Sequence, residues 1–449
     1  MTALYSKLNH FYLAIRSDAF NTLLINYLFV AYVLSLTLSY KLDRIIAGLI
    51  ILLFLFNENL KSKLKISLQH PAVRAFLLFF FVVVIWSISA HSIELALYHI
   101  KSYRYFLYPI VFIAMIRHDF IDKIIFAFLC GLLINVLWSY LMFFNILGSP
   151  FQMSEHLPIL TKPDHALFVL IGLGYSIYRL FTENDNTVIK FLLALFIMLE
   201  SFNIFITGSR SGMIMYSVML ITVFTFIFKN SLFKVFLFSI VLSSIVYTSA
   251  YLFFPPLKKH INTIQHEVIQ SFQENQYNSS TGSRLGLIAY SLPVIKEHFF
   301  FGVGTSDHIR EVHETITEAI NLNPEIAQKN RLKEVFRVLE SGKLAFLHNT
   351  YLDIQIQFGV IGFLIFMNIF YQIYRYQNYS RQIYALLAIL ICTLFLIGMF
   401  PGANFQQQNQ GRMFVFMISI LMMTKHTPQN TKSNISYNSV SNSNKEANT

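Results

Sequence analysis

The stretch VIKFLLALFIMLESFNIFITGSRSGMIMYSVMLITVFTFIFKN, residues 188–230, decides the fold. Two apolar runs, 188–206 and 211–228, flank a six-residue break, Thr207-Gly208-Ser209-Arg210-Ser211-Gly212. Each run reaches or approaches the roughly 17–25 residues that a helix needs to cross about 30 Å of hydrocarbon. Runs of this kind recur along most of the 449 residues, of which 55% are hydrophobic and only 13% charged. A soluble domain carries about 25% charged residues, so this is an all-α polytopic membrane protein.

Working outward, apolar runs and charged breaks give about twelve transmembrane helices. Their limits are near 19–39, 44–57, 72–89, 103–116, 121–147, 164–181, 188–206, 211–228, 231–254, 357–375, 382–400 and 411–424. With the N-terminus inside, 17 Lys and Arg fall on the inner side and 7 in the short outer loops, among them Arg412. Cytoplasmic loops accumulate these residues, so the reading is N-in and C-in. The same rule accounts for most of the net charge of +11 without nucleic acid as a partner.

One connection breaks the pattern. Residues 255–350 are hydrophilic, lie on the outer side between the ninth and tenth spans, and carry ten basic and ten acidic residues. A structureless loop of that length is unusual, so the sequence predicts helices folded onto the membrane part. Ile309, Val312, Ile316 and Ile320 recur at helical spacing, as do Leu332, Val335, Phe336 and Leu339. The expected organisation is spans one to nine over 1–254, the loop over 255–350, and spans ten to twelve over 351–426. The Asn/Ser/Thr-rich tail over 427–449 is expected to be disordered in the cytoplasm.

Composition removes several chemistries. Cys130 and Cys392 both sit in apolar runs, no Cys/His cluster suggests a metal, and no phosphate loop of the nucleotide-hydrolase kind is present. What remains lies on the outer side. Arg210 sits in the small-residue break, either as an anion ligand beside a helix start or as a snorkelling arginine in an ordinary turn. Arg284 sits in a near copy, Thr281-Gly282-Ser283-Arg284-Leu285-Gly286. There Ser283 is the expected cap, with Arg284 in the first turn, where a cation is disfavoured unless an anion lies nearby. Arginine suits phosphate because its planar fork donates two parallel hydrogen bonds.

His348 opens the last candidate, Leu347-His348-Asn349-Thr350-Tyr351-Leu352-Asp353, ahead of an apolar span. A histidine at such an interface accepts a proton near neutral pH. Tyr351, one turn on, is expected to orient it, whereas Asp353 falls on another face. His99, His260, His266, His308 and His313 are competitors without distinctive neighbours. Lys101 and Arg104 in KSYRYFLYP suit lipid phosphates, and Lys162, Asp164 and His165 suit either substrate. For these the structural role weighs more than the functional one.

FITGSRSG (205–212), TGSRLGL (281–287) with FGVGTSDH (301–308), and HNTYLDIQIQFGVIGFLIF (348–366) stand in that order on one side of the membrane. In this the chain resembles the O-antigen ligase family, a superfamily that includes lipopolysaccharide O-antigen ligases, O-antigen polymerases and protein O-oligosaccharyltransferases. The resemblance implies a GT-C-like glycosyltransferase of the bacterial inner membrane, with its active site facing the periplasm. It implies inverting, metal-independent transfer of a glycan from undecaprenyl-diphosphate to lipid A–core, with no cofactor. Arg210 and Arg284 would clamp the diphosphate and His348 would act as base. Asn349, Tyr351, Lys101 and Arg104 would assist binding, amid membrane lipids. A polymerase or a protein glycosyltransferase would use the same donor. A transporter of lipid-linked glycans is the reading from a different class, and it expects ionisable residues in the span interiors, which these spans nearly lack.

Overall fold

The structure is a computed structural model, and it describes residues 13–423 apart from 14, 40, 147–158, 254, 274, 275, 323–331, 341–345, 377, 378, 403 and 407. The expected disordered tail, 427–449, lies outside the described residues. Among them there is no strand. In chain order the helices are α1 (Asp18–Leu38), α2 (Leu42–Leu55), α3 (Leu60–Gln69), α4 (Pro71–Trp86), α5 (Ile93–Tyr103), α6 (Pro109–Met115) and α7 (Ile121–Phe143). There follow α8 (Lys162–Thr182), α9 (Thr187–Ile206), α10 (Arg210–Ile227), α11 (Leu232–Phe253), α12 (Pro255–Gln273), α13 (Ser280–Glu297) and α14 (His308–Leu322). The last four are α15 (Lys333–Leu339), α16 (Thr350–Arg375), α17 (Gln382–Gly398) and α18 (Gln408–Met422).

Eight helices among the described residues are long and apolar enough to cross a membrane, in agreement with a polytopic membrane protein. Four expected spans are shorter. The run at 44–57 ends where α2 turns by 115° into α3, because Asn57, Glu58 and Asn59 interrupt the apolar residues. The run at 103–116 is divided between a 3-10 turn over Arg104–Leu107 and the seven-residue α6, which begins at Pro109, where a missing N–H costs nothing. Helix α17 has 17 residues and α18 has 15. Hydropathy alone does not separate a short buried helix from a span.

Helices α8 and α18 form the centre. Almost every side chain of α18 is buried, and α8 packs against α9, α10 and α17. Arg412 is no loop cation: it lies in α18, and its Nε sits 2.6 Å from Asp43 Oδ2 on α2, with both side chains enclosed. Glu200, on α9, is also fully buried. The span interiors therefore hold a few ionisable groups that the sequence reading passed over.

Helices α13, α14 and α15 build a second, smaller apolar cluster. Val312 and Ile316 are wholly buried in it with Leu287, Leu332, Val335 and Leu339, while Ile309, Ile320 and Phe336 pack at its edge. The two expected amphipathic rows thus supply this core, and Leu347, Leu352 and Ile356 tie it to α16.

Gly359 anchors that tie. It interrupts α16 with φ +63°, ψ −170°, a conformation essentially confined to glycine. The kink frees backbone groups that must find partners elsewhere. The loop Phe299–Gly304 supplies them: Val303 and Gly304 N–H donate to the Ile356 and Gln357 carbonyls at 2.8 and 3.0 Å, and Val360 N–H donates to the Phe299 carbonyl at 2.8 Å. The two Phe-Gly-Val segments at 301–303 and 358–360 are therefore paired backbone to backbone. Trp86 Nε1 donates to the Phe301 carbonyl and fastens the same loop to α4. A Cβ on Gly359 would fall 2.2 Å from the Phe300 carbonyl oxygen. Gly359→Ala is expected to destabilise the protein by at least about 1–3 kcal/mol from backbone strain, read as a lowered Tm in detergent. An unchanged Tm would contradict this account of the joint.

Candidate functional site

The Gly208 break is built for a sharp turn. Gly208 has φ +65°, and Ser209 caps α10 by accepting from Gly212 N–H at 3.2 Å. Gly212 lets this turn approach α8 closely, since a Cβ there would meet the Ala166 Cβ at 2.7 Å. Arg210 is thereby the first residue of α10. Its Nη1 donates to Thr281 Oγ1 at 3.0 Å and to Glu267 Oε2 at 3.1 Å. Thr281 N–H donates to the same carboxylate oxygen at 3.3 Å.

The second Gly-Ser-Arg element differs from expectation by one turn. Ser279, not Ser283, caps α13, accepting from Gly282 N–H at 2.9 Å. The competing serines at 279, 280 and 283 hid this in the sequence. Arg284 therefore projects from the second turn, beyond the region where the helix dipole repels it most. Burial first, and then the charge of Arg210, lower its pKa, while Glu267 opposes the shift. The guanidinium stays charged regardless, and its buried Nε has no hydrogen-bond partner among the described residues. A charged donor held without an acceptor is costly unless a ligand supplies one.

His348 precedes the helix rather than opening it. Asn349 is the cap of α16, its side-chain oxygen accepting from Tyr351 and Leu352 N–H at 3.0 and 3.2 Å. His348 has φ +52°, unusual for a non-glycine residue, and its ring meets Phe346 edge-on at 4.8 Å. Burial first, and then the Arg284 charge, lower its pKa from the ordinary 6.5, with Asp353 opposing more weakly. The imidazole is therefore neutral at pH 7 and free to accept a proton. If it is the base, the acid limb of the transfer rate lies below pH 6.5, because activity is lost only when His348 protonates. A limb above pH 6.5 in a kcat/KM profile would exclude it.

Arg210, Arg284, His348 and Tyr351 all line one cavity of about 1030 Å³. Lys162 and, on α13, Leu285 and Ile288 contribute to its wall, as do Gly398 at the end of α17 and Pro401, Gly402 and Asn404 in the loop after it. That loop is held by Thr350, whose N–H donates to the Met399 and Gly402 carbonyls at 2.9 and 3.0 Å. Apolar side chains, Ile214, Leu285, Ile288, Leu396 and Phe400 among them, cover much of the remainder.

Other expected residues are elsewhere. Lys101 and Arg104 do not line the cavity; Arg104 Nη1 donates to the Lys101 carbonyl at 3.3 Å. Asn349 is occupied by its capping bonds and is not a lining residue either. The Tyr351 hydroxyl donates to the Leu396 carbonyl at 2.7 Å rather than to His348. Asp164 is buried and accepts from Gln410 Nε2 at 2.7 Å, and His165 Nε2 lies 2.5 Å from Asn203 Oδ1.

Sequence reasoning missed Glu267, whose only signal was the even charge balance of the long loop, and gave no role to Thr281, although it stands in the second Gly-Ser-Arg element. It also passed over His308, which is fully buried with its Nε2 3.2 Å from Asp353 Oδ1. The same Asp353 oxygen accepts from Leu347 N–H at 3.0 Å, next to His348. Among the described residues, no three His, Cys, Asp or Glu side chains gather as metal ligands would.

The cavity thus combines two arginines, a neutral histidine and an apolar flank, which suits a phosphate-bearing lipid and a proton-losing nucleophile. No curated protein matches the chain. Residues 193–367, the stretch that supplies Arg210, Arg284 and His348, match the family described as O-Antigen ligase.

Proposed function

We propose that the protein is an O-antigen ligase that transfers a glycan from undecaprenyl-diphosphate to a hydroxyl of lipid A–core at the periplasmic face of the inner membrane. The observation that carries this reading is the convergence of Arg210, Arg284 and His348 on one cavity. His348 takes the acceptor hydroxyl's proton as that oxygen attacks the anomeric carbon. The bond from that carbon to the phosphate oxygen breaks, and the electron pair stays on the diphosphate. Arg210 and Arg284 stabilise the growing negative charge, work that fixed cations perform well in a site shielded from water. Attack from the face opposite the leaving group inverts the anomeric centre, with no enzyme nucleophile and no metal step. The apolar flank of the cavity suits the first prenyl units of the donor.

Deletion of the gene with lipopolysaccharide profiling tests this reading. Loss of long-chain lipopolysaccharide with accumulation of polymerised, carrier-linked glycan is expected, restored by wild type but not by Arg210→Ala, Arg284→Ala or His348→Ala. A single repeat left on the core would instead indicate a polymerase. An unaltered profile would refute both.

A further inference from the structure

Glu267 sits where the proposed chemistry has least use for a carboxylate. It lies on α12, is mostly enclosed, and binds Arg210 Nη1 at 3.1 Å and Thr281 N–H at 3.3 Å. Two arginines alone would make the strongest diphosphate site; this residue cancels part of their charge. A simple structural tie offers no reason to place it there, because Thr281 Oγ1 already links Arg210 to α13 at 3.0 Å.

The leaving group gives a reason. A lipid-diphosphate-glycan is esterified at both phosphates. Once the glycan departs, the end phosphate carries no ester, and its second ionisation near pH 6 adds about one negative charge at pH 7. Equal retention of donor and product by the arginine pair would leave the site blocked after each turnover, and release often limits such enzymes. A fixed negative group beside one guanidinium penalises the more highly charged species selectively.

We infer that Glu267 is a specificity-determining residue that lets the site discriminate against the spent lipid diphosphate and so promotes its release. This rests on the reading of Arg210 and Arg284 as diphosphate ligands. The effect is electrostatic, so it survives Glu267→Asp and is lost in Glu267→Gln.

The test uses the full chain in lipid nanodiscs and two probes, farnesyl diphosphate and its terminal methyl ester, which differ by one charge and one methyl group. Calorimetric Kd values are measured for wild type, Glu267→Gln, Glu267→Asp and Arg284→Ala. The ratio of the two Kd values within one preparation cancels any loss of folded protein. Glu267→Gln is expected to shift that ratio about ten-fold toward the free diphosphate, the order expected of one charge at this range in a partly shielded site. Glu267→Asp is expected to keep the wild-type ratio, and Arg284→Ala to weaken both probes. An unchanged ratio in Glu267→Gln, with Arg284→Ala still weakening both, overturns the inference and leaves the ligase reading standing. Binding of both probes that is indifferent to Arg284, or no binding by wild type, overturns the two together.

Discussion

His348→Ala is expected to lower glycan transfer by about 10²–10⁴-fold, the usual worth of a positioned general base, while the Kd for a lipid-diphosphate donor changes little. The split follows from where the ring stands. His348 lines the cavity beside the arginines but is held from the backbone side, by the left-handed φ of its own residue and by the cap of Asn349 behind it. Removing the imidazole leaves Arg210, Arg284 and the apolar wall in place, so the donor still docks. A fall in donor affinity with kcat preserved would assign His348 to binding instead. Asn349→Ala separates the two further. It loosens the start of α16 at a cost of about 1 kcal/mol and is expected to lower activity only in part.

Arg284→Ala is expected to cost about 10²–10³-fold in kcat, more than it costs in donor binding, because charge on the leaving diphosphate grows toward the transition state. Arg284→Lys is not expected to restore the rate. Its single ammonium does not reproduce the planar fork, and Arg284 Nε is a buried donor without a partner among the described residues. Arg210 differs because Glu267 and Thr281 already hold it. Its loss would also remove the ties from α10 to Glu267 on α12 and Thr281 on α13, so Arg210→Ala is expected to loosen those helices from α10 as well as to disturb the chemistry. Steady-state kinetics beside thermal unfolding distinguish these consequences; equal losses of stability in both variants would contradict the difference.

Much of this was readable from local chemistry. Two Gly-Ser-Arg triplets ahead of apolar stretches announced helix starts with an arginine attached, and both helices start there, although Ser279 rather than Ser283 caps the second. The amphipathic rows around Val312 and Val335 announced a buried face, and both rows meet in one cluster. Pairings between distant segments were not readable. Nothing in the sequence links Glu267 to Arg210 across 57 positions, or His308 to Asp353 across 45. Spacing set Asp353 apart from His348 and gave no hint of its contact with His308. Hydropathy also does not tell a span from a buried helix: α17 and α18 are apolar, yet they have 17 and 15 residues and lie largely in the protein core. Arg412 shows the hazard: counted as an outer charge, it is enclosed against Asp43.

The most direct measurement reconstitutes the purified protein with an undecaprenyl-diphosphate-linked glycan and lipid A–core, and follows the anomeric configuration of the new linkage alongside release of the lipid diphosphate. The account predicts one inverted linkage per diphosphate released by wild type, and neither product from His348→Ala or Arg284→Ala above about a hundredth of that rate. Retention of configuration, or wild-type transfer by either variant, would contradict it.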